Sequence, residues 1–140
     1  MSSHAEECRK RGAYREIVIN KDKARTTRDN AKTMMSGARK LAAALAEKDE
    51  EWLAVFLTSY DALHLLAEAY LRSKGLKATD HKCLYAYVEE QTGLKGFEEL
   101  RQARNDTHYH GKKLSTEKLR AHSEQVRAIH EKLQESMAKL

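Results

Sequence analysis

The sequence contains no proline and only six glycines among its 140 residues. Both residue types interrupt helices, so their scarcity favours long helices joined by short connections. The chain is instead rich in alanine, leucine, glutamate, lysine and arginine, which are strong helix formers. Threonine and valine are too scattered to build a sheet. The composition therefore predicts a helical protein.

A long hydrophobic run is also absent, since no apolar stretch reaches the ~18 residues that a membrane-spanning helix needs. The most apolar segment, 52–71, is interrupted by Asp61, His64 and Glu68. The first eleven residues are polar and mixed in charge, without the apolar region of a secretory signal. We therefore expect a cytoplasmic protein with no membrane partner.

Cysteine is scarce, and Cys8 and Cys83 form neither a CxxC motif nor a disulfide framework. The His and Cys spacings match no zinc motif, so we expect no metal site and no cofactor. His4, His122 and His130 are expected at the surface. The net charge of +5 suits an anionic partner such as RNA or a nucleotide. Basic and acidic residues are interspersed along the chain, which is also typical of an ordinary solvent-exposed helix surface.

Hydrophobic residues recur at spacings of three and four along most of the chain, which indicates amphipathic helices. The predicted helices span 22–47, 49–74, 81–92, 97–110 and 116–140, with Asp22, Asp80 and Ser115 or Thr116 at their starts and Gly75 as a stop. Residues 1–21 are an uncertain N-terminal arm, either helical or extended. We predict a single all-α domain over 1–140, an antiparallel up-and-down bundle of four to five helices.

The second predicted helix is apolar over most of its circumference, which places it at the centre of the bundle or beneath another subunit. Ser59 lies in the middle of its main apolar stripe, with Tyr60 beside it. A buried serine often bonds back to its own helix. The alternative is that Ser59 and Tyr60 contact a ligand, and we include both as candidate ligand-binding residues.

The fourth predicted helix ends in a dense polar cluster over residues 100–111. On a helical wheel Arg104 falls on the apolar arc, and His108 and His110 flank that arc on either side. An arginine aimed at a core is costly without a partner, a cleft or an interface. One interpretation is structural, with Arg104 snorkelling or paired with a carboxylate. The other is a functional site, because imidazoles exchange protons near neutral pH.

Arginine and histidine together suit phosphoryl transfer on RNA. A neutral His can remove the 2′-hydroxyl proton, an acid can protonate the leaving 5′-oxygen, and Arg can hold the anionic phosphorane. Arginine fits this role because its planar fork matches phosphate oxygens. Simple binding of a phosphate-bearing ligand, with Tyr109 as a stacking surface, is the other chemistry that these residues support.

The run Arg104-Asn105-Asp106-Thr107-His108-Tyr109-His110 resembles the signature of the HEPN superfamily, all-helical domains of prokaryotic toxin and defence systems. That signature is an Arg followed, after four to six residues, by His. Five residues separate Arg104 from His110, and six separate Arg101 from His108. The order of helices over residues 24–135 is also similar to the superfamily.

The resemblance implies a four- or five-helix bundle that forms a homodimer and brings two Arg…His motifs into one composite cleft. Many HEPN proteins are metal-independent endoribonucleases, others bind RNA, nucleotides or protein partners without cleavage, and some pair with a nucleotidyltransferase-like antitoxin. The resemblance assigns Arg104 as the phosphate clamp, His110 as the general base or acid, Asn105 as an orienting group and His108 as an auxiliary group. The further candidate ligand-binding residues are Arg101, Tyr109, Lys112 and Lys113.

The sequence also departs from the superfamily pattern. Tyr109 stands where a four-residue spacing would place His, and no Tyr follows His110 by two residues. A non-catalytic module that binds RNA, a nucleotide or a protein partner is therefore the alternative function.

Overall fold

A computed structural model describes residues 3–140, and most of them lie in α-helices. The helices are α1 (His4–Lys10), α2 (Lys21–Ala44), α3 (Trp52–Ser73), α4 (His81–Thr92), α5 (Phe97–His108) and α6 (Thr116–Ser136). Two short strands, β1 (Tyr14–Glu16) and β2 (Leu76–Ala78), complete the described elements. The predicted all-α helical bundle is confirmed. No helix within residues 3–140 is both long and apolar enough to cross a membrane.

Helix α3 is the central element of the bundle. It packs against α2 and α6 and also contacts α4, α5 and β2. Its buried residues therefore lie on several faces, which explains why its sequence is apolar over most of the circumference. The central position accounts for this apolar surface without a second subunit.

The helix starts follow from side-chain caps that satisfy free backbone N–H groups. Asp80 accepts a hydrogen bond from the N–H of Cys83, and Ser115 accepts one from Lys118, so both predicted caps are confirmed. The cap of α2 is Asn20 rather than Asp22, because the extended backbone that a cap requires lies at Asn20. The prediction for Asp22 is therefore wrong.

The uncertain N-terminal arm contains α1 and β1. Strand β1 pairs antiparallel with β2, with Tyr14 opposite Ala78 and Glu16 opposite Leu76. Gly75 precedes β2 with a φ of +74° and accepts a hydrogen bond from the N–H of Ile17. The expectation that no sheet would form is wrong at this point, because a ribbon of two three-residue strands needs no β-rich sequence.

A disulfide joins Cys8 of α1 to Cys83 of α4, with 5.8 Å between their Cα atoms. The expectation that these cysteines would not form a disulfide is wrong. They are 75 residues apart in the sequence, and only the packing of α1 on α4 brings them together. Arg9 reinforces this contact through an ion pair with Glu90.

Helix α6 buries the predicted apolar stripe, which includes Leu119, Val126, Ile129 and Leu133. His130 is also buried, with only 2% of its surface exposed, so the prediction of a surface histidine is wrong. The physical reason is its spacing of four residues from Val126, which places both side chains on the same face of the helix.

Candidate functional site

Helix α5 positions Arg104 at the edge of the core. The inward face of this helix buries Phe97, Leu100 and Ala103, and Arg104 is half-buried beside it. Its guanidinium carbon, Cζ, lies 5.8 Å from the ring centroid of Tyr60 and 5.6 Å from that of Tyr109. The cation is therefore held between two aromatic rings, an arrangement that is favourable through cation–π attraction.

Arg104 has no carboxylate partner among residues 3–140. Two carboxylates of α5 pair with other groups: Glu98 with Arg101, and Asp106 with Lys112 and, by a hydrogen bond, with His110. The Nε atom of Arg104 is buried without a hydrogen-bond partner. Its Nη1 atom makes a long contact of 3.4 Å with the Tyr109 hydroxyl. The guanidinium thus keeps unused capacity to bind an anion. Of the two structural interpretations, the carboxylate pair is absent among residues 3–140, whereas the half-buried position also fits a snorkelling arginine.

The guanidinium of Arg101, in contrast, is already paired with a carboxylate. Its Nε and Nη2 atoms donate to the two carboxylate oxygens of Glu98 at 2.9 and 2.6 Å. This bidentate pair lowers the pKa of Glu98 and raises that of Arg101. Of the two spacings that fit the HEPN signature, only the one that begins at Arg104 has a free guanidinium.

The two motif histidines lie at the end of α5, where both are exposed. His108 is the last residue of the helix, and its Nδ1 atom lies 3.4 Å from the Thr107 hydroxyl. His110 lies in the following turn, and its Nδ1 atom is 3.0 Å from a carboxylate oxygen of Asp106. That hydrogen bond lowers the pKa of Asp106. A carboxylate on Nδ1 fixes the orientation of the ring and leaves Nε2 to face solvent or a substrate.

The remaining candidates are spread around this cluster. Tyr109 is 69% exposed, Asn105 is half-buried, and the Lys112 ammonium lies 3.8 Å from Asp106. The Lys113 ammonium instead lies 3.4 Å from a carboxylate oxygen of Glu50, a residue of the connection between α2 and α3. The structure therefore brings most of the motif together but directs Lys113 elsewhere.

Ser59 and Tyr60 are adjacent in sequence but face different parts of the molecule. Tyr60 lies under Arg104, whereas Ser59 lines a groove formed by α2, α3 and α6. Consecutive helical residues point about 100° apart, so both could not reach one site. Of the two candidates on α3, only Tyr60 belongs to the Arg104 cluster.

A hydrogen-bonded chain that sequence reasoning missed continues below Tyr60. The hydroxyl of Tyr85 donates to that of Tyr60 at 2.7 Å and lies 2.8 Å from Nδ1 of His64. The Nε2 atom of His64 is 3.0 Å from Glu68. Burial raises the pKa of both tyrosines, and the hydrogen bond with His64 lowers that of Glu68.

The sequence did contain a signal for part of this hydrogen-bonded chain. Tyr60, His64 and Glu68 recur every four residues and so form one polar row on an otherwise apolar helix. Tyr85 could not be placed beside them, because that contact depends on how α4 packs on α3. This hydrogen-bonded chain supports the ring of Tyr60, against which the guanidinium of Arg104 packs.

His81 extends the polar surface at the start of α4. Its ring centroid lies 4.2 Å from that of His64. Partial burial, and then the charges of His64 and Arg104, lower the pKa of His81. Within residues 3–140 no three His, Cys, Asp or Glu side chains are grouped so as to hold a metal ion.

Comparison with known proteins identifies no family to which this chain is similar. No protein-family model matches the sequence, and neither a curated protein nor a solved structure matches the chain.

Proposed function

We propose that this protein is a HEPN-type endoribonuclease that cleaves RNA without a metal ion and leaves a 2′,3′-cyclic phosphate. One observation carries the proposal. The half-buried guanidinium of Arg104 has no carboxylate partner in the part of the chain that the structure describes. It is held between two tyrosine rings, with His108 and His110 close behind it in sequence. A cation held in this way can bind a phosphate group.

In this mechanism Arg104 binds the scissile phosphate through its planar fork and stabilises the charge that develops on the phosphorane. The ring of Tyr60 fixes the guanidinium from below. The Nε2 atom of His110 takes the proton of the 2′-hydroxyl, and Asp106 keeps the ring oriented through Nδ1. The 2′-oxygen forms its bond to phosphorus while the 5′-oxygen leaves with a proton from an acid.

The acid for the leaving oxygen comes from a second histidine. In a homodimer with a composite cleft, the second copy of His110 takes that role, and His108 is auxiliary. The resemblance to HEPN proteins supports this arrangement, and a role in a toxin–antitoxin or defence system is part of the same proposal. A nucleotidyltransferase-like antitoxin is the protein partner that the same resemblance implies.

The test is RNA cleavage in the presence of EDTA, followed by analysis of the product termini. We expect cleavage with a cyclic phosphate end, and we expect His110→Ala to lower the rate by ~10²–10⁴ because proton transfer is lost. Arg104→Ala should cost at least as much. Arg15→Ala, an exposed arginine of β1, is the matched control and should retain the wild-type rate.

A module that binds RNA or a nucleotide without cleaving it is the second candidate. The exposed ring of Tyr109 beside Arg104 favours it, because aromatic rings stack on nucleobases while arginine holds the backbone. In this case RNA binding should weaken steeply with salt and depend on Arg104 and Lys112. Wild-type protein that binds RNA but leaves it intact would favour this function over cleavage.

A further inference from the structure

Helices α2 and α6 both pack against α3, and the three helices line a groove of about 570 Å³. Val55 and Ser59 of α3 line this groove together with small side chains from both walls, among them Ala38, Ala42 and Ala121. None of the residues that line it belongs to α4 or α5. The groove is therefore separate from the Arg104 cluster.

Charged side chains also line this groove: the arginines Arg39, Arg120 and Arg127, and the carboxylates Glu117 and Glu124. Arg127 of α6 forms an ion pair with Glu124. Arg39 of α2 faces the same groove and forms no salt bridge with any of residues 3–140. A charged fork over an apolar floor, with no carboxylate of its own, is suited to an anion.

A second polar group, the imidazole of His130, lines a cavity next to this groove. This cavity of about 270 Å³ shares Arg39 and Arg127 with the groove. One nitrogen of this buried imidazole bonds to the backbone of Ala31. Its Nε2 atom has no hydrogen-bond partner within residues 3–140. In a neutral imidazole one nitrogen donates and the other accepts, so Nε2 is an acceptor that marks a place for a hydrogen-bond donor, such as a hydroxyl or a water molecule, and not for an anionic group.

We propose that this groove is a binding site for a small organic anion. Arg39 holds the carboxylate, sulfonate or phosphate group, and the apolar body of the ligand lies between the alanine-lined walls beside Trp52. The volume falls within the range of small-molecule sites, which are mostly apolar with a few placed polar groups. Ser59, which interrupts the apolar stripe of α3, is one of those polar groups. The inference is independent of RNA cleavage.

The groove contains its own reporter, because Trp52 is the single tryptophan of the chain and lines the groove. The probe is 8-anilinonaphthalene-1-sulfonate, an aromatic sulfonate whose emission rises in apolar surroundings. We expect saturable binding with energy transfer from Trp52. Decanoate should displace the probe, whereas decan-1-ol at the same concentration should not.

Variants locate the site within the groove. Arg39→Ala should weaken probe binding about tenfold or more, because a charge-assisted hydrogen bond is lost. Ala42→Phe should block binding by filling the groove from a half-exposed position. Lys40→Ala is the matched control, since Lys40 is the exposed neighbour of Arg39 and lines neither cavity.

Circular dichroism and thermal melting would establish that each variant is folded. Wild-type affinity in both Arg39→Ala and Ala42→Phe would overturn the proposal. Displacement by decan-1-ol as effective as that by decanoate would also overturn it, because the site would then select for apolar character alone.

Discussion

At the scale of single residues, Arg104 shows what the sequence could and could not reveal. Its place on the apolar arc of α5 follows from spacing alone, and the structure finds it half-buried there. Its lack of a carboxylate partner could not be predicted, because that depends on which acidic residues the fold brings near. Burial of an unpaired charge is costly, and the rings of Tyr60 and Tyr109 offset part of this cost.

Tyr85→Phe tests the hydrogen-bonded chain beneath Arg104. The change deprives the hydroxyl of Tyr60 and the ring of His64 of a partner. Unsatisfied buried groups should lower the free energy of unfolding by about 1–3 kcal/mol in urea titrations. RNA cleavage should fall as well, because the ring under Arg104 is less firmly held. Unchanged cleavage with lowered stability would show that the chain supports the fold alone.

His130 predicts a dependence of stability on pH. Burial lowers the pKa of its imidazole from 6.5 to about 4. Between these values the unfolded state binds more protons than the folded state, so stability decreases as the pH falls from 6.5 to about 4. The loss attributable to this group is up to about 3 kcal/mol. Urea unfolding of His130→Gln over the same range should show a flatter profile, and equal slopes would contradict the assignment.

At the scale of elements, the long helices were largely predictable, and the N-terminal region was not. Regular apolar spacing and local caps such as Asp80 and Ser115 define helices from short-range information. Helix α1 has only seven residues and depends on contacts with α4, which are distant in sequence. Such a short helix is unstable alone, so neither its presence nor the disulfide could be read from local patterns.

Cys8→Ser tests how far the disulfide holds α1 in place. A crosslink between residues 75 apart restricts the unfolded chain, and its loss should lower stability by about 2–4 kcal/mol relative to the oxidised wild type. Hydrogen exchange should increase in α1 and β1 while α3 stays protected. Reductant should reproduce the effect in the wild type and add nothing in the variant. A wild-type melting temperature that does not respond to reductant would contradict the structure here.

At the scale of the whole molecule, the proposed site is open on one side. Arg104 and Tyr109 lie at the surface end of α5, and both motif histidines are exposed. The proposed mechanism needs two proton-transfer groups around one phosphate, and a homodimer supplies them by placing two copies of the motif across a two-fold axis. Sedimentation at micromolar concentration should then report about twice the chain mass of 16.0 kDa.

Subunit mixing distinguishes a composite cleft from two independent sites. Arg104→Ala and His110→Ala should each be inactive alone. After exchange of subunits about half of the dimers are mixed, and each contains one intact Arg104 and one intact His110 on different protomers. If catalysis joins Arg104 of one protomer to His110 of the other, the mixture should recover RNA cleavage only in part, because a mixed dimer keeps one of the two His110 side chains that the proposed mechanism uses as base and acid. If each protomer uses its own Arg104 and His110, mixing should recover nothing, and a mixture of Arg104→Ala with the double variant is the matched control.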